Sequence, residues 1–109
     1  MTNAEKMAQI KIMLEIAVDN TTIDGELSAY LNMAKEEILN WMYINKPDKR
    51  SSVREVPTRY EIVQIYAVVN GYNGKGAEGE KVHNENGINR TFVYADMVAY
   101  IRGNVFQVV

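Results

Sequence analysis

The chain has no cysteine, one histidine, one tryptophan, two prolines and two phenylalanines in 109 residues. The missing cysteine excludes disulfides and thiolate chemistry. With His83 as the sole imidazole there is no grouping of nucleophile, base and orienting group, and a metal ion would lack partners at ligand spacing. No apolar run approaches the roughly 18 residues of a membrane span, and the N-terminal residues show no signal-peptide pattern. Neither sign of charge prevails: 12 Lys and Arg face 14 Asp and Glu, a formal net charge of -2, which leaves no general field to draw in nucleic acid or a membrane. These absences predict a protein that is not an enzyme, carries no cofactor or metal, does not associate with membrane, and is made in a cytoplasm.

What is present fits one domain over residues 1–109 with a single core. From Asn3 to Val18 the apolar positions Met7, Ile10, Leu14 and Ala17 or Val18 step by three and four, which predicts an amphipathic helix. Thr2 and Glu5 stand in capping-box relation at its start, and the Asp19-Asn20-Thr21-Thr22 cluster is expected to end it. Asp24 reads as the cap of a second helix, with Leu27, Tyr30, Leu31, Ala34, Ile38, Trp41 and Met42 along its buried side. Glu36 and Glu37 are adjacent, about 100° apart on a helix, and read as a solvated face rather than an acid and base pair. Between Asn45 and Glu55 the chain turns polar and locally positive. Lys46, Lys49, Arg50 and Arg54 make this stretch either a surface linker or a docking loop for an acidic partner.

The most informative stretch is Pro57 to Tyr94. Pro57 suits a helix start, and Tyr60, Ile62, Val63, Ile65, Tyr66, Val68, Val69 and Tyr72 leave so little polar face, only Arg59, Glu61, Gln64 and Asn70, that the helix is expected to lie at the centre of the fold, with Ile62 to Val69 buried. Gly71, Gly74, Gly76 and Gly79 then predict an exposed loop. Gly74 to Gly79 matches the dinucleotide fingerprint letter for letter, but that fingerprint works only between a strand and a helix, and here a helix precedes it. Beyond the glycines, Asn86-Gly87 between Lys81-Val82-His83-Asn84-Glu85 and Ile88-Asn89-Arg90-Thr91-Phe92 predicts a two-residue hairpin turn. A short last helix is expected to open at Ala95 and Asp96, carry Tyr94, Met97, Val98 and Ile101 at the i, i+3, i+4 and i+7 positions of one face, and close on Arg102 and Gly103. The apolar tail Asn104 to Val109 is left either to fold back on the core or to pair with another subunit. The expected fold is mainly α: a small bundle of about four helices with a β-hairpin or long loop between the last two.

This order of elements resembles the head-tail connector proteins of tailed bacteriophages and prophages, also called adaptor or head-completion proteins. The resemblance spans nearly the whole chain and is most specific from Ala67 to Phe92, through Tyr72-Asn73-Gly74, Gly76-Ala77-Glu78-Gly79-Glu80 and Glu85-Asn86-Gly87-Ile88-Asn89-Arg90-Thr91-Phe92. It implies a structural virion protein at the head-tail interface. Copies would assemble as a ring, dodecameric in expectation and monomeric before assembly, beneath the portal protein. The ring would extend the DNA channel and offer a surface to stopper or tail-completion proteins. Carried onto this chain, the channel-side or ring-contact element would comprise Glu78, Glu80, Lys81, His83, Glu85, Asn86, Gly87, Asn89 and Arg90. The portal-docking tail would comprise Val105, Phe106, Val108 and Val109, although some relatives continue further at this end. Lys75, Lys81 and Arg90 are nearly matched by Glu78, Glu80 and Glu85, a balance that suits passage of duplex DNA without sequence-specific binding, since each basic phosphate contact adds salt-dependent affinity.

Two other readings fit the same composition. A helical DNA-binding regulator would use Lys46 to Arg54 against the phosphate backbone, although the central helix is too apolar to lie in a major groove. A small protein-interaction module would use the same hairpin to grip a single partner.

Overall fold

Helix α1 covers Asn3–Met13 and begins where the capping box places it. The Thr2 amide donates to Glu5 Oε1 at 2.7 Å, and the Glu5 amide donates to Thr2 Oγ1 at 3.1 Å. The first of these bonds, which favours the ionised carboxylate, is the main reason the Glu5 carboxyl is held below its ordinary value. The helix stops well short of Val18, because Glu15 takes φ 60°. The Ile16 amide donates to the Lys11 carbonyl at 2.8 Å and the Glu15 amide to the Ile12 carbonyl at 3.1 Å, the paired bonds of a Schellman ending. A left-handed conformation costs an L side chain about 1–2 kcal/mol that glycine escapes. Glu15→Gly is therefore expected to raise the unfolding free energy by about 0.5–1 kcal/mol, read as a higher urea midpoint at unchanged m-value.

The computed structural model describes residues 1–82 and 86–109, with side chains described for 1–73 and 94–109. Helix α2 spans Asp24–Met42, so Asp24 is its first helical residue rather than its cap, and Ile23 before it makes no side-chain capping bond. The Asp24 carboxylate instead faces buried Lys11, with Oδ1 2.6 Å from Nζ. That contact is ionic: it does not meet the geometry of a directed hydrogen bond, and Oδ1 has no other partner. The expected loop contains one helical turn, α3 (Pro47–Arg50), and a 3-10 turn at Thr58–Tyr60 leads into α4 (Glu61–Val82).

Helix α5 spans Asn86–Asn104, and this corrects the reading of the region as glycine loop, hairpin and short last helix. The α4 backbone continues through all its glycines to Val82, and Asn86-Gly87 open a helix where a hairpin turn was expected; His83, Asn84 and Glu85 lie outside the described residues. No strand occurs among the described residues. Each glycine costs a helix about 1 kcal/mol relative to alanine, but α4 and α5 pack on each other more extensively than any other pair of elements. A lone two-stranded ribbon is marginal in water. Asn is moreover as much at home near a helix start as in a turn. The Gly74 to Gly79 fingerprint accordingly lies inside a helix, the wrong context for a dinucleotide. At the far end, α5 runs past Gly103, which has no positive φ and is therefore not the left-handed cap expected of it.

The core joins Ile10 of α1, Leu27, Leu31, Ala34, Ile38, Leu39 and Met42 of α2, Val63, Ile65, Ala67 and Val68 of α4, and Met97 and Ile101 of α5. Helix α4 is central but not buried all round. Ile62 and Tyr66 are 44 % and 39 % exposed, whereas Gln64, read as part of the thin polar edge, is 1 % exposed. The Tyr66 ring meets Tyr100 of α5 edge to face at 6.4 Å. Burial raises the Tyr100 hydroxyl above its ordinary value.

Candidate functional site

The tail folds back onto its own bundle, one of the two alternatives its composition left open. Val105 is buried, and its carbonyl accepts from Trp41 Nε1 at 3.0 Å. The Phe106 amide donates to the Tyr60 hydroxyl at 3.0 Å, and the Val108 amide to the Met42 carbonyl at 2.7 Å. With the backbone held at three points, Phe106 and Val109 project, 83 % and 99 % exposed. The four tail residues singled out in the sequence thus divide: Val105 and half-buried Val108 anchor, while Phe106 and Val109 face outward.

A charged cluster behind the tail was not legible in sequence. Glu37, expected to be solvated and unpartnered, is 9 % exposed. It accepts from the Tyr94 hydroxyl at 3.1 Å and from Arg102 Nη2 at 3.4 Å. The bond to Glu37 holds Tyr94 above the usual phenol range, because it favours the protonated hydroxyl. The Arg102 guanidinium also lies 4.8 Å from the centre of the Trp41 ring, a cation–π contact. Trp41 therefore joins the α2–α5 seam on one side to the Val105 carbonyl on the other.

Of the four basic residues in the expected docking loop, Arg50 is committed to the protein itself. Its guanidinium bonds Asn40 Oδ1 at 2.7 Å, the Val53 carbonyl at 3.1 Å and Glu36 Oε1 at 2.5 Å. Lys46, Lys49 and Arg54 are exposed and make no ion pair among the described residues. Asn45 to Lys49 line an open depression of about 380 Å³ on this surface.

The expected channel-side residues lie at one end of the α4–α5 pair. Glu78, Glu80 and Lys81 belong to the end of α4, and Asn86, Gly87, Asn89 and Arg90 to the start of α5. His83 and Glu85 lie outside the described residues. The described members of this set thus belong to the end of α4 and the start of α5 instead of to a ribbon.

The chain matches the phage gp6-like head-tail connector protein family over residues 5–102. The chain belongs to that family. No curated protein and no solved structure matches it. The connector family is structural and non-enzymatic, and its members work at the phage head-tail interface among other virion proteins. This connector has no helix among the described residues long and apolar enough to cross a membrane. The family match covers most of α1, all of α2, α3 and α4, and most of α5, and stops before the tail.

Proposed function

We infer that copies of this connector form a ring beneath the portal vertex of a DNA-filled head, extend its channel, and present a docking surface to stopper or tail-completion proteins. The observation that carries this reading is the family match over residues 5–102; the geometry of the chain is compatible with it. The folded body, residues 1–109 as one domain, forms the ring wall. The tail engages the portal through Phe106 and Val109, held outward by Val105 and Val108. The tip of the pair, the end of α4 and the start of α5, faces the channel or the neighbouring ring. Its charges nearly cancel, so DNA slides past without capture. Lys46, Lys49 and Arg54 remain available to an acidic neighbour, whereas Arg50 is occupied by Glu36 and Asn40.

Co-expression with the portal protein encoded by the same phage tests the reading. The expected result is a co-purifying complex in which electron microscopy shows an added ring of connector copies on the portal, and a portal ring that never gains density overturns it. In assembled particles, replacing Glu78, Glu80 and Glu85 together with lysine is expected to slow DNA passage without unfolding the chain. Unchanged passage would remove the tip from the channel.

A further inference from the structure

We propose that the portal-docking surface is a preformed apolar patch of Phe106, Val109 and Ile44, rimmed by cations, and that it takes an apolar pocket edged by carboxylates on the partner. This rests on the reading of the tail as the portal-docking segment and adds to it a residue from another part of the chain and the chemistry of the surface opposite.

One backbone hydrogen bond brings the tail to the end of α2 near Ile44, and the exposure of Ile44 leaves its side chain outside the core. The Val108 amide bonds the Met42 carbonyl at 2.7 Å, which lays the tail along the end of α2, two residues before Ile44. Ile44 is 53 % exposed, large and aliphatic, and belongs to none of the packed core positions. It sits just after α2 ends at Met42, where the Ile44 amide reaches back to the Trp41 carbonyl at 3.4 Å and the Lys46 amide to that of Tyr43 at 2.9 Å. The residue is thus held on a short turn beside the tail.

The rim is positive. The Arg59 guanidinium lies 4.8 Å from the centre of the Tyr60 ring, and the Tyr60 hydroxyl receives the Phe106 amide. Arg102 stands over Trp41, whose indole holds the Val105 carbonyl. Lys46 and Lys49 come shortly after Ile44, exposed and without an ion pair among the described residues, with Asp48 the one acidic side chain between them. Arg102 already faces Glu37, so Lys46, Lys49 and Arg59 are the cations that carry the complementarity.

The backbone on which Phe106 and Val109 stand is held by three hydrogen bonds, so docking orders little further chain. Preorganisation of this kind lets modest apolar burial appear as affinity. The paired charges set the encounter rate and its salt dependence.

The test measures association of the full-length chain with the cognate portal ring by biolayer interferometry. It compares wild type with Phe106→Ser, Ile44→Ser, Lys46→Glu/Arg59→Glu and a chain lacking residues 106–109, with thermal unfolding of each to confirm the fold. Burial of a large aliphatic or aromatic side chain predicts a loss of about tenfold or more for Phe106→Ser and for Ile44→Ser. Wild type is expected to associate more slowly as salt rises from about 50 to 500 mM, and the charge-reversed pair to associate more slowly than wild type and without that salt dependence. If the truncated chain no longer binds while Ile44→Ser and the charge-reversed pair bind as wild type, the tail docks but the patch proposed here is wrong. If the truncated chain binds as wild type, the portal-docking reading of the tail fails and the patch with it. Loss of a self-associated form of the free chain on Ile44→Ser, with portal binding intact, assigns the patch to contacts between copies and likewise overturns the proposal.

Discussion

Gln64→Leu is expected to lower the unfolding free energy by about 3 kcal/mol, even though leucine is the more apolar side chain and the position is inside the protein. Gln64 is 1 % exposed and Lys6 is 4 % exposed. Gln64 Oε1 accepts from Lys6 Nζ at 2.7 Å, and Gln64 Nε2 donates to the Leu31 carbonyl at 2.9 Å. One amide therefore satisfies a buried ammonium on α1 and ties α4 to α2. With leucine in its place, the ammonium keeps only Glu61, whose Oε2 lies 3.9 Å away, beyond hydrogen-bond range. A stripped buried charge costs about 3–5 kcal/mol, and rotation of Glu61 toward Lys6 brings the expected loss to the lower end. The double variant Lys6→Met/Gln64→Leu removes the charge together with its partner, and most of the stability should return. Equilibrium urea unfolding of the wild type, both single variants and the double variant gives the coupling energy, expected at about 1–3 kcal/mol. Strictly additive losses would mean that Lys6 does not depend on Gln64.

Ile65→Ala is expected to cost about 3–4 kcal/mol, while Ile62→Ala, one turn earlier on the same helix, is expected to stay within about 0.5–1 kcal/mol of wild type. Ile65 is 0 % exposed and Ile62 is 44 % exposed. Truncation at Ile65 loses the transfer free energy of its methyl and methylene groups and leaves a cavity that the packed α2 and α5 side chains close only in part. For a domain whose total stability is about 5–15 kcal/mol, that is a large share, and the midpoint of thermal unfolding should fall by about 10–20 °C. The contrast between two isoleucines tests the rotational setting of α4. Equal losses would require the helix to face the core with both, as its nearly unbroken apolar pattern suggests.

That pattern shows where sequence reading reaches and where it stops. The capping box at Thr2 and Glu5 and the apolar stripe of α2 are local: they depend on neighbours within one or two turns, and the structure agrees with both. The end of α1 is also local, but its signal is weak, because a left-handed glutamate at Glu15 carries no compositional mark. The α4–α5 region misleads for a different reason. Four glycines and an Asn-Gly pair favour a loop and a hairpin over a few residues, whereas continued helix depends on a partner helix that begins beyond residue 85. Buried Glu37 and Gln64 were misread on the same principle. Glu37 lies beside Glu36, which does pair at the surface with Arg50, and nothing within α2 announces that Tyr94 and Arg102 converge on it.

Family membership and a mainly helical fold were legible because both rest on the order of elements and the spacing of apolar residues, properties of the chain as a string. The Lys6–Gln64–Leu31 link, the Glu37 cluster and the seat of the tail against Tyr60, Trp41 and Met42 were not. They join residues separated by 33 to 66 positions. Such contacts exist only after the helices have packed, since burial decides whether a polar side chain must find a partner, and packing decides which one is within reach.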